Sequence, residues 1–152
     1  MTDRRLPADR LNRILTAVDT IEQSLGILAN KQHVSRTEYK TNSDTRDIVE
    51  RRFVKMTEAA LDIAEVLVKH ERGQPPASNP ASMRLLGEMG ILSNTLAEEM
   101  AQGARFRNIL SHTYGNSIDH DLVYNALQDL ERYRAFAQSV REHLDSIDAL
   151  DD

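Results

Sequence analysis

The segment 107–114 reads RNILSHTY and combines side-chain types suited to phosphodiester chemistry. Arginine presents a fixed fork of donors that matches phosphate oxygens and stabilises developing negative charge. Histidine titrates near neutral pH and can act as a general acid or base. RNA carries its own nucleophile, the 2′-hydroxyl, so one cation and one proton shuttle could suffice without a metal. On a helix of about 100° per residue, five hydrogen-bonding side chains share one arc of roughly 160°: Arg107, Asn108, Ser111, His112 and Tyr114.

The other residues of this arc have supporting chemistry. Asn108 can orient an imidazole or bind a phosphate oxygen, and Tyr114 can stack on a base or donate a hydrogen bond. The opposite side of the helix is predicted to anchor in the core through Phe106, Ile109 and Leu110. Spacing alone favours a plainer interpretation, in which the arc is a solvated polar face and Arg107 forms a surface ion pair.

Other chemistries find little support in the sequence. Without cysteine there is no disulfide, thiolate metal site or cysteine nucleophile. The remaining histidines form no H-x-x-x-H or E-x-x-H pairing, and 119–121 (DHD) fits a helix cap better than a metal cluster. No Gly-rich phosphate loop occurs, and Ser111 lacks the base and orienting group that a nucleophile needs. We therefore predict no metal and no cofactor.

Composition and charge are typical of a globular protein. Of its 152 residues, 40% are hydrophobic and 28% charged, and a formal net charge of −5 argues against broad coating of nucleic acid. Any RNA site must then be a focused patch. The N-terminus lacks the apolar stretch of a signal peptide, and no apolar run is long enough to cross a bilayer. A cytoplasmic protein without membrane contact is expected.

The elements that would position the arc are helices framed by four prolines at positions 7, 75, 76 and 80. Apolar spacing and caps predict helices over about 9–30, from Ser35, from 42–44 to Arg72, over 83–89, and from Asn94 to about Thr113. Asn94, together with Thr95 and Glu98, is predicted to cap the last of these. Residues 73–80 are predicted to form a loop. Asp119 is expected to cap one final helix that reaches Ile147.

These elements predict an all-α, up-and-down helical bundle with one domain. The domain is expected to span 1–152, with a core of about 9–148 and flexible ends. The apolar seams could also pair two chains, although a core within one bundle is the favoured interpretation for any given seam.

The segment 107–114 also resembles the R-N-x-x-x-H-x-Y signature of HepT-like proteins of the HEPN superfamily. Three further stretches resemble that family: 50–64 its long second helix, 86–93 its middle segment and 118–124 the start of its last helix. Together these stretches cover most of the chain from about 10 to 147.

The resemblance implies a HEPN-type bundle that forms a homodimer and cleaves RNA, either mRNA or tRNA, without a metal. Arg107 and His112 would be catalytic, Asn108 and Ser111 would support them, and the two motif helices would meet in a composite cleft. The partner would be a MntA-like nucleotidyltransferase antitoxin that can adenylylate Tyr114. The alternative is a non-catalytic HEPN module that binds a nucleotidyltransferase or a nucleotide, and a purely structural dimer is the plainest option.

Overall fold

Seven helices and no strand make up the part of the chain that the computed structural model describes, residues 6–112 and 118–147. The predicted all-α class is confirmed. In chain order the helices are α1 Ala8–Ala29, α2 Arg36–Thr41, α3 Ser43–Arg72, α4 Asn79–Glu88, α5 Asn94–His112, α6 His120–Leu127 and α7 Glu131–Ser146.

Four longer helices, α1, α3, α5 and α7, form the bundle. Helix α1 packs along α3, with Arg13 paired to Asp62. Helix α5 packs on α3 as well, with Phe106 against Phe53. The short helix α4 packs against α5, and α2 packs against α6. The core lies between these helices and is mainly aliphatic, with Phe53 and Phe136 among its largest buried side chains.

Local capping fixes several of the predicted helix ends. Ser35 accepts the N–H of Glu38 at 3.1 Å, and Asn42 accepts that of Thr45 at 3.1 Å. These two caps place the break between α2 and α3 where the sequence predicted it. At the far end of α3, Gly73 adopts the left-handed conformation with φ 80°, which glycine reaches without steric cost.

Two predicted boundaries are wrong. Helix α4 begins at Asn79, capped by the Ser78 hydroxyl, because a proline in the first turn, here Pro80, needs no N–H partner. The predicted final helix is two helices, α6 and α7, separated by 128–130. The apolar stripe continues through that break, with Leu127 and Leu130 both buried, so its periodicity concealed the interruption.

The start of α5 differs by one residue from the prediction. The cap is Ser93, whose hydroxyl accepts the N–H of Leu96 at 3.1 Å, and Asn94 is the first helical residue. Glu98, predicted to assist the cap, instead accepts two hydrogen bonds of 3.0 Å from Arg84 of α4. Across residues 6–112 and 118–147, no helix combines the length and apolar character that a membrane crossing requires.

Candidate active site on helix α5

Arg107 and Asn108 continue the core-facing stripe of α5. The stripe consists of small and apolar side chains that are almost fully buried, at steps of three and four residues: Ala97, Met100, Ala101 and Ala104. The next positions in this spacing are Arg107 and Asn108, both intermediate in exposure. A polar pair therefore replaces the core at this end of the bundle. Charged side chains rarely face a protein core without a partner, so Arg107 is expected to contact a polar group nearby.

The guanidinium of Arg107 is held on two sides. Its Nη2 donates to Oε1 of Glu58 on α3 at 2.5 Å, and its Nη1 donates to Oδ1 of Asn108 at 3.3 Å. The Arg107 side chain is 23% exposed, and its Nε is buried without a hydrogen-bond partner among the described residues. Solvent therefore reaches part of the cation while its stem is fixed in the bundle.

Packed side chains between α3, α5 and α7 support this pair. Phe106 meets Phe53 edge-on, with ring centroids 5.5 Å apart and planes at 82°. The hydroxyls of Thr57 and Tyr133 are buried and lie 3.0 Å apart. Burial raises the pKa of the Tyr133 hydroxyl, against a smaller opposing effect of the hydrogen bond with Thr57. The α3–α5 register that brings Glu58 to Arg107 is thus set by core contacts.

The predicted arc is described only in part. Arg107 and Asn108 lie together as predicted, although on the inner stripe rather than on an outer face. Ser111 and His112 form the last turn of α5 in the backbone, and their side chains are outside what the structure describes. Tyr114 also lies outside the described residues. The roles of these residues stay predictions.

The prediction that Ile109 anchors in the core is wrong. Phe106 packs on the core and Leu110 is 8% exposed, whereas Ile109 is 47% exposed. The inner stripe of α5 is already occupied by the residues that lead to Arg107, so Ile109 points out of the bundle. It lines an open groove of about 440 Å³ between α5, α6 and α7, together with Leu122, which is 43% exposed.

The stretch Asp119-His120-Asp121 acts as a helix start, as predicted. Asp119 Oδ1 accepts the N–H groups of Asp121 and Leu122 at 3.0 and 3.3 Å. Asp121 contacts Arg36 and Lys40 of α2, and these hydrogen bonds lower the pKa of its carboxyl. The stretch therefore fastens α6 to α2.

Glu58 was not identified as a site residue from the sequence. It lies outside the predicted inward stripe of α3, and it is 49 positions from Arg107 in the chain. A contact of this kind depends on the register between two helices, which apolar spacing does not determine.

Comparison with solved structures shows which proteins share this helical bundle. A toxin–antitoxin complex with AMP-PNP has a chain of similar fold, with a TM-score of 0.77 at 20% identity, covering 86% of this chain and 98% of that one. A tri-AMPylated HEPN toxin of Shewanella oneidensis, in complex with an MNT antitoxin, gives a TM-score of 0.76 at 21% identity over 86% and 97% of the two chains. The fold is therefore that of HEPN toxins.

Sequence comparison identifies the family. Residues 14–140 match the family described as Ribonuclease HepT-like. A relative named tRNA nuclease HepT, from Aphanizomenon flos-aquae, is 26% identical over 140 residues, which is 91% of this chain and 95% of the relative. The chain belongs to the ribonuclease HepT-like family.

Proposed function

We propose that this chain is a metal-independent ribonuclease toxin that cleaves RNA through Arg107 and His112 at a cleft between two copies. The observation that carries the proposal is Arg107 itself, a cation placed on the inner stripe of α5, fixed by two contacts and still 23% exposed. In a structural role an apolar residue at this position would extend the core at lower cost. Family membership gives the cation its proposed substrate, an RNA phosphate.

The proposed reaction uses the 2′-hydroxyl of the RNA. The imidazole of His112 removes the 2′ proton, the 2′ oxygen bonds to phosphorus, and the bond from phosphorus to the 5′ oxygen breaks. An imidazolium, that of His112 in the second copy, returns a proton to the departing 5′ oxygen, which leaves a 2′,3′-cyclic phosphate. Arg107 neutralises the charge that develops on the non-bridging oxygens. Asn108 and Ser111 are proposed to bind the substrate beside it.

The proposal includes a homodimer, because one copy supplies only one imidazole to this cleft. Two exposed apolar side chains, Ile109 and Leu122, face one groove directly beside the motif helix, which supports an interface there. Replacing Ile109 by aspartate should yield monomers in sedimentation analysis and abolish cleavage. A variant that remains an active dimer would place the interface elsewhere.

The proposed partner is a MntA-like nucleotidyltransferase antitoxin, encoded beside this gene, that adenylylates Tyr114. Support comes from the similar toxin of Shewanella oneidensis, which is tri-AMPylated in its complex with an MNT antitoxin. Mass spectrometry of the co-expressed protein should detect AMP adducts on peptides with Tyr114 and none in a Tyr114→Phe variant. The proposed substrates, tRNA or mRNA, imply a cytoplasmic location.

Cleavage of purified tRNA and mRNA in the presence of EDTA tests the central claim. Arg107→Ala and His112→Ala should each lower the rate by about 100-fold or more, the scale of a lost acid–base or charge-stabilising group. Arg141→Ala is the control, because Arg141 also pairs with a glutamate of another helix, Glu22, far from the motif. Equal rates for all variants would refute the active site. A stable antitoxin complex that needs the motif face, with no cleavage by the free protein, would identify a non-catalytic module instead.

A further inference from the structure

The contact between Glu58 and Arg107 differs from the other ion pairs between helices. Several arginines pair with a carboxylate of another helix while their own side chains stay 40–52% exposed: Arg13, Arg36, Arg72, Arg84 and Arg141. Arg107 is 23% exposed in its pair with Glu58. Because the bundle encloses more of the Arg107 side chain, its guanidinium has fewer alternative orientations than that of an arginine on the surface.

The contact with Glu58 leaves some N–H groups of Arg107 available to a ligand. A guanidinium has five N–H groups, one on Nε and two on each terminal nitrogen. Glu58 takes one from Nη2, Asn108 takes one from Nη1, and Nε is buried. One N–H on each terminal nitrogen is then available to a ligand with two acceptor oxygens, which a phosphate provides.

We propose that Glu58 is a positioning residue for the ribonuclease reaction, and the inference rests on the proposed function. Glu58 holds Nη2 from α3, outside the motif helix, and so fixes the direction in which the free N–H groups of Arg107 meet the scissile phosphate. Asn108 cannot do this alone, because it neighbours Arg107 on the same helix and its contact is longer, at 3.3 Å. This contact preorganises the site. Because Glu58 fixes the long Arg107 side chain before RNA binds, that side chain loses less conformational freedom when the transition state forms.

A competing role for Glu58 predicts the opposite effect on RNA binding. Its carboxylate is 49% exposed and repels a phosphate near Arg107. If Glu58 only occupied Arg107 until RNA displaced it, removing the carboxylate would tighten RNA binding and preserve or raise kcat. A positioning residue gives a fall in kcat without tighter binding. The sign of the change therefore separates the two roles.

The test compares kcat and KM for RNA cleavage in full-length wild-type protein, Glu58→Gln and Glu58→Ala. We expect kcat to fall about 10- to 100-fold in Glu58→Ala, because small misplacements of a catalytic group have effects of this size. Glu58→Gln keeps an acceptor oxygen in place and should retain more activity than Glu58→Ala. KM should change by less than about 3-fold in both variants, as expected for an interaction realised in the transition state.

The matched control is Asp62→Asn, one turn further along α3. Asp62 also pairs with an arginine of another helix, but with Arg13 of α1 and not with a residue of the motif. Its kcat should stay within about 2-fold of wild type, and thermal unfolding should show all variants folded. If Glu58→Ala fails to fold, Glu58→Gln decides the question, because its weaker, neutral contact with Arg107 should still lower kcat below that of wild type, and an unchanged kcat would overturn the positioning role.

The remaining outcomes would overturn either the positioning role of Glu58 or the proposed function. Wild-type kcat in both Glu58 variants, or tighter RNA binding with undiminished kcat, overturns the positioning role alone. A similar loss in Asp62→Asn would make the effect one of general stability and would also overturn it. Cleavage by the wild-type protein that does not depend on Arg107 overturns the proposed function, and this inference with it.

Discussion

Replacing Gly87 by alanine should destabilise the bundle, even though alanine is the better helix former. Gly87 lies in the last turn of α4, where that helix packs on the start of α5. A Cβ atom at this position would lie 2.8 Å from the Cβ of Ala97 and 3.5 Å from Oδ1 of Asn94. Carbon atoms in contact prefer about 3.5–4.0 Å. The substitution therefore forces α4 and α5 apart.

Two opposing free energies determine the size of the effect. Alanine in place of glycine gains at most about 1 kcal/mol of helix propensity, and less in a last turn. The clash involves a Cβ that is fixed to the backbone of α5, so no side-chain rotation relieves it, and overpacking of this kind costs about 1–3 kcal/mol. We expect Gly87→Ala to lower the free energy of unfolding by about 1–2 kcal/mol.

A methyl exchange between the two helices tests whether the contact is the cause. Ala97→Gly alone should cost about 1 kcal/mol in helix propensity. In the double variant the clash is gone, so it should be only about 0–1 kcal/mol less stable than wild type, well above the sum of the single variants. Urea unfolding of the four proteins measures this coupling. Additivity within about 0.5 kcal/mol, or a stabilising Gly87→Ala, would refute the reasoning.

Substitutions at three further positions test other contacts by urea or thermal unfolding. Thr57→Val leaves the buried hydroxyl of Tyr133 without its partner and should cost about 1–3 kcal/mol, whereas Thr57→Ser should recover most of the loss. Asp119→Ala removes the acceptor of two N–H groups at the start of α6 and should cost about 1 kcal/mol. Burial raises the pKa of the Glu50 carboxyl, with a further contribution from Asp47, so its ionisation at neutral pH opposes folding. Glu50→Gln should therefore be more stable than wild type at pH 7.

The pH dependence of stability tests this account of Glu50. Since the pKa of its carboxyl is higher in the folded state than in the unfolded one, the folded protein binds the proton more tightly. The contribution of protonated Glu50 is complete below its unfolded pKa and is lost as the pH rises through its folded pKa. The advantage of Glu50→Gln should thus appear across that acidic window and disappear below it. If Glu50→Gln were more stable than wild type by the same amount at every pH, this account would be contradicted. For the Thr57 and Asp119 variants, unchanged stability would contradict the predicted losses.

Helix positions were predictable wherever the determining interactions are local. The ends of α1 and α3 and the break before α3 follow from apolar spacing and from side chains that cap within three residues, such as Ser35 and Asn42. Boundaries were missed where local signals conflict or are silent. A proline near Ser78 suggested a loop although the first helical turn accepts it, and an unbroken apolar stripe concealed the break between α6 and α7.

The candidate site could be predicted only in part from the pattern of apolar and polar residues. Sequence reasoning brought Arg107 and Asn108 together because they are neighbours on one helix, and it placed Phe106 and Leu110 correctly in the core, but it put the polar pair on the side that faces away from the core. A sign of the correct side was present: Ala97, Met100 and Ala104 lead at three- and four-residue steps to Arg107. An arginine that continues an apolar stripe needs a carboxylate from the helix that packs over it. Here that helix is α3 and the counter-charge is Glu58, whose identity follows only from the register of the packed bundle.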